Sequence, residues 1–228
     1  MRLLVPSVTD TTVDAAYAAP LGGPVGDRPW VQLCMVASLD GSTVVDGASG
    51  ALSSPNDQAV LLRLRALAQV VLVGAGTAAG EGYGPPSTPG QRIAVVTRSG
   101  RLDLDNDLFR SGAAIIVTTT STDLPDGAAD VDVIRAGDSE VDLAEALRRL
   151  RAEIDVEVVQ AEGGPMLNGA LAAADLIDEL ALTVSPGVVG GDGPRLVRGV
   201  NDVERPFDLA QLAVDDEQFL FQRWVRRR

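Results

Sequence analysis

Apolar residues gather along this chain in short runs of strand length, separated by stretches with helical period. The first 29 residues, rich in Ala, Gly and Pro, hold no sustained period and read as an irregular leader. Val31–Ala37 is an apolar run closed by the polar turn Ser38-Leu39-Asp40-Gly41. Ser54 then suits a helix N-cap, Pro55 the first helical position and Asp57 the third. The spacing predicts a helix to about Ala68, with Leu61, Leu64 and Ala68 on one face. Further runs at Val70–Val73, Ile93–Thr97, Ala114–Thr118, Val131–Ile134 and Val156–Gln160 predict buried strands. A helix carrying Leu143, Leu147 and Leu150 follows Ser139-Glu140-Val141-Asp142, which has capping-box spacing. Another helix starts at Gly163-Gly164-Pro165, with Leu167 and Leu171 inward, and strands follow at Leu176–Val184 and Phe219–Val225. Strands alternating with helices predict an α/β fold. The last two strands, joined by loop alone, predict an antiparallel edge on a mostly parallel sheet. No repeat or linker divides residues 30–228, which read as a single domain.

Composition narrows the chemistry. No apolar run reaches the ~18 residues of a membrane helix, and the first ten residues lack the apolar core of a secretory signal, so a cytoplasmic address is expected. The net charge of -13 and the lack of a basic stripe, apart from Arg226–Arg228, argue against a nucleic-acid partner. One cysteine, Cys34, excludes an intrachain disulfide framework. Histidine is absent, which removes Ser-His-Asp and Cys-His nucleophile systems and histidine-containing zinc sites; no metal is expected. All 19 basic residues are arginines, so lysine Schiff-base chemistry is excluded as well. Reactions in which the protein mainly positions a cofactor and a substrate are favoured, hydride transfer among them.

Four motifs carry candidate chemistry. Gly74-Ala75-Gly76-Thr77-Ala78-Ala79 follows a strand and matches G-x-G-x-x-G/A, the dinucleotide fingerprint. Glu81-Gly82-Tyr83-Gly84-Pro85-Pro86 comes next, where no helix fits, so the Rossmann fold is rejected; a tight turn or a close approach to a nucleotide both remain. Glu162-Gly163-Gly164-Pro165 stands between a strand and a helix, where free amides suit a phosphate without a lysine, or where the glycines merely turn the chain. Asp40 is a proton relay or a turn residue that orders its loop. Ser185–Asp192 is a glycine-rich loop.

In this order and spacing, Ala37–Gly41, Leu64-Arg65, Val73–Thr77, Glu162–Pro165 and the Ser185–Pro194 loop resemble the reductase domain of bacterial riboflavin-pathway deaminase-reductases, relatives of dihydrofolate reductase. The resemblance spans Trp30 to about Arg226. It implies a mixed, mostly parallel sheet with helices on both faces, NADPH as hydride donor and a homodimer. It also implies reduction of the ribosyl group of a ribosylamino-pyrimidine phosphate to ribityl. By position, Ala37, Gly74, Gly76, Thr77, Thr97, Arg98, Ser99, Gly163, Gly164, Pro165, Met166 and Leu167 fall on the NADPH side, with Arg98 a candidate for the 2′-phosphate. Ser49, Arg65 and Glu162 face the substrate: Arg65 an anionic group, Glu162 the heterocycle. Asp40 and Glu81, the catalytic candidates, order the loops or the proton path; with no strong acid evident, water supplies the proton.

Three departures stand out. The deaminase half does not fit into 29 residues, and its zinc site needs a histidine. Cys34 stands where the riboflavin enzymes often carry a lysine that contacts the pyrimidine. Tyr83-Gly84-Pro85-Pro86 occupies the place of an arginine for the substrate phosphate. Charge-assisted hydrogen bonds contribute ~1.5–3 kcal/mol each, so two lost cations weaken an anionic substrate by several kcal/mol. The cofactor half of the pattern is intact and the substrate half is eroded, which leaves dihydrofolate or another pterin as an alternative substrate and a non-catalytic nucleotide-binding protein as an alternative function.

Overall fold

The apolar runs become the middle of one sheet. A computed structural model describes residues 1–228. Its strands are β1 (Arg2–Val5), β2 (Thr9–Asp10), β3 (Trp30–Ala37), β4 (Val70–Gly74), β5 (Arg92–Val96), β6 (Ala114–Thr118), β7 (Asp132–Arg135), β8 (Val158–Ala161), β9 (Glu179–Val184), β10 (Phe207–Val214) and β11 (Leu220–Arg226). They form an 11-stranded sheet in the order β2-β1-β10-β11-β9-β3-β8-β4-β5-β6-β7. From β9 through β7 every pairing is parallel, and β11, β10, β1 and β2 add an antiparallel edge. The antiparallel edge expected from the last strands is present, but they are not joined by loop alone: the unpredicted β10 lies between β9 and β11 in the chain and pairs with β11.

Parallel strands covered on both faces need apolar residues on both, and β4 shows it. Val70 and Leu72 join a core with β3, β6 and the helices α5 (Leu143–Ile154) and α6 (Pro165–Ala173). Val71 and Val73 point the other way, into a cluster with Ile93, Val95 and Ile116. On that second face α2 (Pro55–Leu67) packs Val60 and Leu64 against Cys34, Ala181 and Phe221. The helix starts as the sequence predicts, Ser54 Oγ accepting from the Asp57 amide at 3.2 Å with Pro55 at the first position.

Four features differ from the expected pattern. The leader is not irregular: it supplies β1, β2 and α1 (Val13–Ala16), and buries Tyr17 at 1% exposure. Arg63 on α2 donates to the carbonyls of Tyr17 and Ala18, and Arg223 on β11 donates to those of Ala16 and Ala19. A helix does follow Gly74, the short α3 (Ala75–Gly80); its six residues are less than two turns, and it ends before Tyr83. A short helix, α4 (Asp107–Arg110), also went unpredicted. The α5 cap is Asp142 itself, whose carboxylate accepts from the Glu145 amide at 2.9 Å, rather than Ser139.

Candidate active site

Two of the glycine motifs meet at the carboxyl ends of β4 and β8. The Gly74 amide donates to the Gly163 carbonyl at 2.7 Å, and Gly163 holds φ +91°, open to glycine but strained for other residues. A Cβ on Gly164 would stand 2.5 Å from Thr77 Oγ1, so any other residue there forces the threonine side chain or the turn to shift. The Gly163–Gly164 peptide is cis. Gly164 is then the N-cap of α6, where no side chain bonds the free amides. Pro165 has no N–H, so the amides of Met166 and Leu167 are the unpaired donors of the first turn. The Leu167 side chain is core and the Met166 side chain is exposed; what these residues offer a ligand is backbone.

Beside this junction opens a cavity of about 670 Å³, bounded by β3, α2, α3, the Gly80–Pro86 loop and the start of α6. Its walls include Gly76, Thr77, Gly164 and Pro165 from the cofactor set, and Ser49, Arg65, Glu81 and Glu162 from the substrate and catalytic sets. The other candidates lie outside its lining. Ala37 is buried at the end of β3, where its carbonyl accepts from the Ser185 amide. Thr97 Oγ1 accepts from the Gly100 amide, Ser99 sits in the same turn, and Arg98 forms an exposed ion pair with Glu140 at 2.6 Å.

Asp40 is also outside the lining. Its carboxylate accepts from Ser38 Oγ at 2.5 Å and from the amides of Val189 and Gly190 at 3.1 and 2.8 Å. Those bonds, the Ser38 hydroxyl foremost, hold it well below the usual carboxylate range. It fastens the β3 turn to the glycine-rich loop. Glu81, on the exposed rim, accepts from Ser49 Oγ at 3.0 Å.

Arg65 and Glu162, assigned separate substrate contacts from the sequence, bind each other. Arg65 Nε and Nη2 donate to Glu162 Oε1 and Oε2 at 2.7 and 2.6 Å. Gln160 Nε2 adds a bond to Oε1 at 2.8 Å, and the Tyr83 hydroxyl one to Oε2. The Arg65 guanidinium also stacks 5.3 Å from the Tyr83 ring centroid. A carboxylate accepts about four hydrogen bonds, so Glu162 is saturated. The bond to Glu162 and its charge raise the Arg65 pKa, while burial raises that of Tyr83.

The sequence missed two lining residues. Tyr83 was read only as the absence of an arginine, and it closes the Arg65–Glu162 pair from above. Asp57 was read as part of a helix cap. Its side chain instead lines the cavity at 8% exposure, accepting from Ser53 Oγ at 2.6 Å. Burial raises its pKa, with the neighbouring hydroxyls of Ser53 and Thr183 acting the other way. The signal available was a second serine, Ser53, ahead of the N-cap. The Cys34 thiol, buried alongside, is pushed up by burial. No group of three or more Cys, Asp or Glu side chains could hold a metal ion, and no helix is long and apolar enough to cross a membrane.

Comparison with known proteins agrees with this architecture. The family model described as RibD C-terminal domain matches residues 29–221. The 2,5-diamino-6-ribosylamino-4(3H)-pyrimidinone 5′-phosphate reductase of Methanothermobacter thermautotrophicus is 27% identical over 196 residues, covering 81% of this chain and 90% of that protein. A pyrimidine reductase-like protein from Corynebacterium diphtheriae has a similar structure, with a TM-score of 0.80 at 23% identity, over 96% of this chain and 100% of the other. RibD of Acinetobacter baumannii matches with a TM-score of 0.73 at 19% identity, over 89% of this chain but 59% of that longer one.

Proposed function

The chain belongs to the RibD C-terminal domain family, and on that footing we propose that it is an NADPH-dependent reductase that converts the ribosyl group of a ribosylamino-pyrimidine phosphate to ribityl in riboflavin biosynthesis. The observation that carries this reading is the contact between the two glycine turns, Gly74–Thr77 and Gly163–Pro165, at the mouth of a cavity of about 670 Å³. Two distant sequence motifs are joined where a cofactor and a small substrate could meet.

The residues present fit such a cofactor. The uncapped start of α6 offers the amides of Met166 and Leu167 to a phosphate, in a chain without lysine. Gly76, Thr77 and Pro165 line the adjoining wall, and Arg98 is the candidate for the 2′-phosphate. Bound NADPH supplies the hydride. Going from ribosyl to ribityl adds two hydrogens: the hydride at C1′ and a proton at the ring oxygen as the C1′–O bond opens.

The protein's own work is then mainly orientation. The Arg65–Glu162–Tyr83 cluster gives the cavity a rigid wall beside Gly164. Asp40 keeps the β3 turn and the Ser185–Asp192 loop together, so that both edges of the site hold still. Glu81, on the rim and within reach of water, is the candidate proton path, with water as the source. Two such chains would assemble as a homodimer. Calorimetric titration with NADPH, NADH and NADP⁺ tests the reading first. Micromolar NADPH binding followed by NADPH oxidation on the ribosylamino-pyrimidine phosphate supports it; no binding at millimolar cofactor ends it.

A further inference from the structure

At the carboxyl end of α2 the cavity wall includes a buried amide, Gln91, which stands just ahead of β5. Gln91 is 5% exposed. Its Nε2 donates to the carbonyls of Arg65 and Ala68 at 2.5 and 2.7 Å, at a helix end where carbonyls lack intrahelical partners. Both amide hydrogens are therefore used. The orientation is fixed as well, because a flipped amide would set its oxygen against two carbonyl oxygens. Oε1 lies on the other arm of the fork, and nothing in the protein donates to it. Gln32 and Gln160 also have unpaired Oε1 atoms, but those are sealed inside the protein and neither residue lines the cavity. The Gln91 oxygen is not among the sealed atoms. Ile93 and its strand partner Val71, with Pro85 and Pro86, share the lining and carry no side-chain donor. The Tyr83 hydroxyl is taken by Glu162. Arg65 commits Nε and Nη2 to Glu162, which leaves Nη1 for a ligand. A buried acceptor without a donor is unfavourable; held rigid in a cavity wall, it is a contact point.

Resting on the reductase reading above, we propose that Gln91 is a substrate-binding residue: its Oε1 accepts a hydrogen bond from a hydroxyl of the substrate's sugar chain, and Arg65 Nη1 donates to a neighbouring sugar oxygen. Gln91 and Arg65 are already in contact through the Arg65 carbonyl. A hydroxyl both donates and accepts, so a vicinal diol answers an acceptor and a donor on neighbouring residues, while its C–H face suits Val71 and Ile93. A phosphate dianion carries acceptors only and would leave Gln91 unmet. Opening the C1′–O bond keeps the hydroxyls at C2′ and C3′ in place, so the contact is made in substrate and product alike. Binding of that uniform kind lowers KM and leaves kcat unchanged. Gln91 thereby selects a sugar-bearing ring over the bare ring.

The test is calorimetry on the full chain saturated with NADP⁺, using two uncharged ligands: 5-amino-6-ribitylaminouracil and 5,6-diaminouracil, the same ring without the sugar. Gln91→Met removes the acceptor. It is expected to weaken the ribityl compound about 10-fold and to leave the bare ring unchanged. In turnover of the ribosylamino-pyrimidine phosphate the same variant should raise KM about 10-fold at unchanged kcat. An unchanged ribityl affinity in folded Gln91→Met overturns the assignment and leaves the reductase reading standing. So do equal losses for both ligands, which mark the residue as structural, and a fall in kcat at unchanged KM. If Gln91→Met does not fold, the side-chain NH2 resonances of Gln91 in the wild-type chain, identified by their absence from Gln91→Glu, decide the matter. Movement with the ribityl compound and not with the bare ring supports the contact, and no movement overturns it. Binding of neither ligand at millimolar concentration brings down the reductase reading, and the subsite with it.

Discussion

The two walls of the cavity are built on opposite principles. The wall at Gly74–Thr77 and Gly163–Pro165 is backbone, held by an amide-to-carbonyl bond and by the absence of a side chain at Gly164. The wall at Arg65, Glu162 and Tyr83 is made of charged and polar side chains whose bonds leave little unfilled. A backbone wall tolerates sequence change elsewhere but not a methyl group at its contact point. A side-chain wall can alter its ligand by a single replacement, because what it presents depends on which lone pairs its neighbours occupy. In the second wall Tyr83, bonded to Glu162, fixes what the cavity offers.

The largest effect should come from putting a methyl group into the backbone wall. Gly164→Ala places a Cβ 2.5 Å from Thr77 Oγ1. NADPH affinity should fall at least about 100-fold, equivalent to about 2.7 kcal/mol, in a calorimetric titration. Thr77→Ala in the same chain removes the obstructing oxygen and should restore part of the loss; a double variant no better than the single one would show that the contact is not the cause. Next comes Glu162→Gln, which leaves Arg65 without its anion. A fully buried broken pair costs about 3–5 kcal/mol, but the Arg65 side chain is 27% exposed. A loss of about 2 kcal/mol in urea unfolding is therefore expected. Tyr83→Phe removes one hydrogen bond to that carboxylate and should cost about 1–2 kcal/mol, with NADPH affinity unchanged.

Asp57→Asn should go the other way. A carboxyl whose folded pKa is raised contributes stability below its unfolded pKa, near 4, and loses it as pH rises through the folded value. The variant is thus expected to melt higher than wild type at pH 7, with the gap closing below about pH 4. A lower melting temperature at pH 7 would mean that the bond from Ser53 and the nearby Thr183 hydroxyl outweigh burial. The smallest effect belongs to Arg98→Ala: an exposed pair with Glu140 is worth about 0–1 kcal/mol. Stability should hardly move, while the NADPH-to-NADH affinity ratio falls several-fold; an unchanged ratio removes Arg98 from the cofactor site.

The same contrast explains what could be read from the sequence. The central strands were legible because a buried parallel strand must be apolar on both faces, and runs such as Val70–Val73 have no other use. The glycine turns were legible because few residues can replace them. The antiparallel edge was harder. In β10, Phe207-Asp-Leu-Ala-Gln-Leu-Ala-Val214 is mixed in character, and its partner β1 lies some two hundred positions away in the leader. Strands of that kind gain their order from each other, so neither announces itself alone. In the site, Arg65 and Glu162 were singled out and both line the cavity, but their pairing could not be read from residues 97 positions apart. Asp57 was hidden by ambiguity: an aspartate in the first turn of a helix satisfies the rules for a cap, and only the fold shows which way its carboxylate turns.

The wiring of the leader imposes a timetable on the ribosome. β1 pairs with β10, Tyr17 packs against Phe221, and the carbonyls of Ala16 and Ala19 wait for Arg223. Translation delivers residues 1–29 first, yet their docking ground is not complete until the last strand has left the exit tunnel. β4 to β7 can begin to associate during synthesis, each strand after β4 finding an edge made before it, while β3 waits for β8 to slot between it and β4. At a synthesis rate of roughly 5–20 residues per second, the opening segment therefore spends about ten to forty seconds as a loose tether. Its apolar residues, Leu3, Leu4 and Val5 among them, stay exposed over that interval to whatever in the cell binds nascent chains.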